Sequence, residues 1–107
     1  MPRGYRSAPE VKEHGEQGAK HLLRKALTAM KAKEASIKDW PRGDARKLAL
    51  AVLLRKHTTA SGQWIAKRLA MGSAANVSQR VRTAQPDRIL KAIPTPLRKM
   101  IEIFFDF

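Results

Sequence analysis

The side chains able to act as nucleophiles, bases or metal ligands are few in this chain, and they are scattered. It has no cysteine, a single tyrosine, Tyr5, and three histidines, His14, His21 and His57. His14 and His21 would share one face of a helix, but two histidines without a third ligand in register make a poor metal site. Glu10, Glu13 and Glu16 line one side of an early helical turn, where carboxylates serve as dipole partners and solvated charges. No glycine-rich phosphate loop and no Ser/His/Asp set is present. We therefore expect no enzyme, no cofactor and no bound metal.

What the sequence does offer is positive charge in one place. Lys and Arg number 22 against 9 Asp and Glu, a formal charge of +13. With 43% hydrophobic residues the chain is too apolar for a disordered basic tail, so it should fold. Its natural counterparts are nucleic acid, an anionic membrane surface or an acidic protein. The acids stand at Glu10, Glu13, Glu16, Glu34, Asp39, Asp44, Asp87, Glu102 and Asp106, and none falls between Ala45 and Pro86. That block holds Arg46, Lys47, Arg55, Lys56, Lys67, Arg68, Arg80 and Arg82. A merely solubilising surface mixes signs, whereas a one-sign block is the footprint expected of phosphate binding.

The elements that must position this block read as helices throughout. Residues 1–17 are expected to be a flexible basic arm and a weak helix start, because Gly15 and Gly18 cost helix propensity. Ala19, Leu22, Leu23, Ala26, Leu27 and Met30 recur at helical steps, predicting a firm first helix over about 18–35. Residues 36–42 read as a connection. Asp44 is the expected cap of a second helix to about Lys56, apolar on nearly every face and so central and buried. A third helix is expected from Ser61 to about Ala70, a fourth over about 74–84, a fifth over 87–92 and a last from Leu97 to Phe105. The fold class is all-α, a small domain of five to six helices.

Residues 61–84 have the grammar of a helix-turn-helix: a capped helix with a small Ala66 at the crossing, Leu69 before a glycine-containing turn, then a second capped helix. Ala70 stands where the tightest versions have glycine, so the turn is expected to be a residue longer. Ala74, Val77, Val81 and Ala84 fix the inward direction of the second helix, at about 100° per residue. Ala75, Asn76, Gln79 and Thr83 then point outward with Arg80 at their flank, and these five are the expected base readers. Arg55, Lys56, Lys67, Arg68 and Arg82, with the hydroxyls of Thr58, Thr59 and Ser73, are the expected phosphate contacts. Trp64 and Trp40 are expected to wedge against the core rather than stack on bases.

Gly43 to Val81 resembles the C-terminal helix-turn-helix region of REP-associated tyrosine transposases and their relatives. The residues that carry the likeness are Gly43, Asp44, Lys47, Leu48, Leu54, Arg55, Thr58, Thr59, Trp64, Ile65, Ala66, Arg68, Leu69, Met71, Gly72, Ser73, Val77 and Ser78. The resemblance implies a DNA-binding module. The family's catalytic half, with its His-hydrophobic-His pair, has no counterpart here. The likeness therefore implies either a piece of a longer enzyme or a stand-alone protein that kept only the module.

The leading expectation is sequence-specific binding of double-stranded DNA, as a transposase-derived module or a small transcriptional regulator. The alternative is a helical interaction module whose basic face meets an acidic partner. No apolar run approaches a membrane span and the first residues lack a secretory signal's apolar stretch, so no membrane and a cytoplasmic site, nucleoid-associated if the protein is bacterial, are expected. Residues 87–107 read as a C-terminal helical extension. Its apolar end, Met100 to Phe107, is expected to pack on the domain's own core, with a homodimer contact as the rival.

Overall fold

A computed structural model describes residues 7–41 and 43–104, with the side chains of 15–41 and 43–102. Tyr5 and most of the expected arm lie outside the described residues, as do Phe105–Phe107 and the side chains of Glu10, Glu13 and His14. The described chain is all-α, with no strand. The helices are α1 (Ser7–Met30), α2 (Ala45–His57), α3 (Gly62–Arg68), α4 (Ala74–Thr83), α5 (Pro86–Ala92) and α6 (Thr95–Phe104), with a 3-10 helix at Glu34–Asp39 between α1 and α2.

α2 is the centre of the molecule. Asp44 caps it, its carboxylate accepting from the Arg46 backbone N–H at 2.8 Å. Residues 49 to 54, Ala-Leu-Ala-Val-Leu-Leu, are all buried, which for a helix means neighbours on every side. Those neighbours are α1, α3, α4 and α5, while α6 packs on α1. Ile89, Ile93, Leu97, Met100 and Ile101 join the same core as Leu23, Leu50 and Ile65. The described part of the C-terminal extension thus packs inward, and the expected boundary after residue 17 falls inside α1.

α1 differs from expectation at both ends. It begins by Ser7 and runs through both glycines. Gly15 has a packing reason: a Cβ there would run into Thr59 Oγ1 and stand 3.1 Å from Cβ and 3.2 Å from the carbonyl carbon of Thr59, so the helix backbone packs directly against Thr59 of the α2–α3 link. At the other end α1 stops at Met30 rather than near residue 35. Lys31 takes φ 57°, and the Ala32 N–H donates to the Leu27 carbonyl at 2.9 Å, a helix stop usually built on glycine. Ile37 then anchors the 3-10 helix in the core where a plain connection was expected. Among the described residues no helix is long and apolar enough to cross a membrane.

Candidate nucleic-acid interface

α3 and α4 pack on each other across a five-residue turn, Leu69–Ser73, and both rest on α2. Each helix is capped by a serine: Ser61 Oγ accepts from the Trp64 N–H, and Ser73 Oγ accepts from the Asn76 N–H, both at 3.1 Å. Ala66 is buried, as the crossing requires. α3 also lies close to α4 a turn earlier, where a Cβ on Gly62 would be 3.3 Å from Ala74 Cβ. Ala70 supplies the left-handed residue of the turn at φ 52°, and Gly72 follows at φ 91°. The Met71 N–H donates to the Ala66 carbonyl at 2.9 Å, closing α3 as Lys31 and Ala32 close α1. The longer turn thus carries two left-turning positions, Ala70 and Gly72 on either side of Met71.

The outer face of α4 has the expected orientation. Val77 is fully buried, and Ala75, Gln79, Arg82 and Thr83 are exposed. Asn76 is half-buried and already engaged: its Nδ2 donates to the Met71 carbonyl at 2.6 Å. That bond uses one of the two amide N–H groups and leaves the other, with the amide oxygen, for a further partner. The Thr83 hydroxyl donates back to the Gln79 carbonyl at 2.9 Å, leaving that oxygen able only to accept. Arg80 folds toward the start of α2, its Nη1 3.9 Å from where a Cβ on Gly43 would be.

Among the expected phosphate contacts some side chains are exposed and others have partners within the chain. Arg55, Lys56, Lys67, Arg82 and Thr59 are exposed. The single proton of the Thr58 hydroxyl goes to the Leu54 carbonyl at 2.5 Å, so Thr58 seals the end of α2 and has none left for a phosphate. Ser73 only accepts in its cap, and its own proton remains to donate. Arg68 lies over Trp64, 5.1 Å from the ring centre, and binds Glu34 at 2.7 Å. Arg46 lies over Trp40 at 4.0 Å and grips Asp44 through two nitrogens, at 3.0 and 2.8 Å. That grip holds the Asp44 carboxyl below the usual carboxylate range, chiefly through the side-chain hydrogen bond from Arg46.

Lys47, one of the eight bases of the acid-free block, is buried at 1% exposure. Its Nζ donates to the Trp40 carbonyl at 2.9 Å and to the Ala70 carbonyl at 3.4 Å. The block that is acid-free in sequence is therefore not acid-free in space. Asp44 and Glu34 fold onto it, and Glu16 of α1 joins Trp64, Lys67 and Ser73 around an open groove of about 670 Å³. Lys67 also borders a second groove of about 400 Å³, with Glu34, Lys38 and Arg68. Lys67 thus lines both.

Comparison with protein-family models, curated proteins and solved structures finds no match to this chain. The likeness of residues 43–81 to REP-associated tyrosine transposases therefore rests on those residues alone.

Proposed function

We propose that this protein binds double-stranded DNA in a sequence-specific manner, with α3 and α4 acting as a helix-turn-helix and α4 entering the major groove. The observation that carries the reading is the outer face of α4. It presents Ala75, Gln79, Arg82 and Thr83 to solvent with no acid on the helix, while Val77 is fully buried on the opposite side. Short polar and apolar side chains on such a face suit base edges: Gln79 matches adenine, and Ala75 matches a thymine methyl. Lys67, Arg55, Lys56 and Arg82 supply the exposed charge that phosphates require. The resemblance to transposase-derived modules supports the same reading, with a recombination or a regulatory role as its two settings.

Selection from randomised duplexes tests the assignment. Gln79→Ala should relax preference at one base pair, by about 1–3 kcal/mol, and leave the rest of the selected site intact. Lys67→Ala should weaken all sequences alike. If Lys67→Ala shifts the selected site while Gln79→Ala leaves it untouched, the base-reading face is wrongly assigned.

A further inference from the structure

We propose that Lys47 and Asn76 form a two-point clamp on the α3–α4 turn, and that this clamp sets how α4 is presented to DNA. The inference rests on the reading of α4 as the base-reading helix. Two successive turn carbonyls are held by side chains from two different helices. The Ala70 carbonyl accepts from Lys47 Nζ of α2 at 3.4 Å, and the Met71 carbonyl accepts from Asn76 Nδ2 of α4 at 2.6 Å. Between these grips the Met71 side chain is fully buried, and the backbone makes its left-handed turns at Ala70 and Gly72. The turn is thus tied to the buried helix below it and to the helix it launches.

A buried ammonium is a costly way to fill space, since an apolar side chain of similar length would pack there without desolvating a charge. What lysine adds is direction. Its head joins the Trp40 carbonyl, at the end of the 3-10 helix, to the Ala70 carbonyl in the turn, and so fixes the turn against α2. α2 is held on all sides and serves as the rigid reference. Sequence readout depends on how accurately a helix is held, because supports that leave it about 1 Å loose spoil its contacts together. Lys47 and Asn76 are therefore positioning residues, and neither needs to touch DNA.

The test compares Lys47→Met and Asn76→Ala with the wild type, using selection from randomised duplexes and affinity for the selected and a random duplex. Both variants should lose discrimination at several base pairs at once, with the selected-to-random affinity ratio falling about tenfold. Their salt dependence on random duplex should not change, since neither residue meets phosphate. Gln79→Ala, which should relax a single base pair, serves as the contrast. A purely structural role would lower the melting temperature and leave the ratio intact, which would overturn the proposal. So would an Asn76→Ala site relaxed at one base pair only, the mark of a direct base contact. If Lys47→Met does not fold, Asn76→Ala carries the test alone, its side chain lying outside the buried core. A wild type that selects no sequence would sink the DNA-reading assignment and the clamp with it. A wild type that selects one, with variants keeping its ratio, would sink the clamp only.

Discussion

Asp44 joins two functions in one carboxylate, capping α2 through the Arg46 N–H and pinning the Arg46 guanidinium over Trp40. Asp44→Ala should cost about 1 kcal/mol, the loss of a helix cap. In a domain of this size that lowers the melting temperature by roughly 4–8 °C. Asp44→Asn, an equally good cap, should lose less than half as much. Because the folded carboxyl is held below its unfolded value, the charged group's stabilisation is complete above about pH 5 and disappears as the pH falls through the unfolded pKa of about 3.9 toward the folded one. The melting-temperature gap between wild type and Asp44→Asn should therefore close in acid, and a gap constant from pH 7 to 3 would show that the Arg46 pair adds nothing. The cap was legible from Gly43-Asp44 ahead of an apolar run. The fate of Lys47 was legible in principle: a helix apolar on nearly every face leaves a charge within it no route to water. Asn76 was not, because an angle on a helical wheel gives the direction of a side chain and not its distance from a preceding turn.

Among the elements, α2, α3 and α4 were set by apolar spacing and by their Asp44, Ser61 and Ser73 caps, whereas α5 starts at Pro86 behind Gln85 with no side-chain cap. All of α2 to α6 stand within a few residues of their expected limits. The failures lie where local preference and packing disagree. Gly15 and Gly18 both argue against helix, yet they occupy opposite environments: Gly15 meets Thr59 closely, while a Cβ on Gly18 would meet nothing within 4 Å. Gly18→Ala should therefore stabilise the protein by about 0.5–1 kcal/mol, the ordinary helix gain. Gly15→Ala should destabilise it despite the same local gain, because α1 must move off the α2–α3 link. Thermal denaturation of the two variants decides this, and a rise in both would mean that α1 does not approach Thr59 closely. The 3-10 helix escaped notice for a different reason, since its one buried residue, Ile37, sets up no period. The end of α1 escaped because Lys31, a poor left-handed residue, stands where glycine usually marks the stop.

For the whole molecule the question is how much of the +13 charge faces a partner. Of the eight bases between Ala45 and Pro86, Lys47 is buried, and Arg46 and Arg68 are bound to Asp44 and Glu34. Arg55, Lys56, Lys67, Arg80 and Arg82 remain on or near the surface. Asp44 adjoins the block in sequence, but Glu34 is brought onto it by folding from 34 residues away, which a linear count of charges cannot reveal. If three to five of the remaining bases neutralise phosphates, log affinity for a random-sequence duplex should fall against log salt with a slope of about −3 to −4.5. Lys67→Ala should flatten that slope by about one unit. Titrating duplex binding with salt, starting near 50 mM, tests the central claim most directly. A slope in that range, reduced in Lys67→Ala, is the result predicted. No affinity for duplex at low salt, or a slope near zero, would contradict DNA binding and turn attention to an acidic protein as the partner of the basic face.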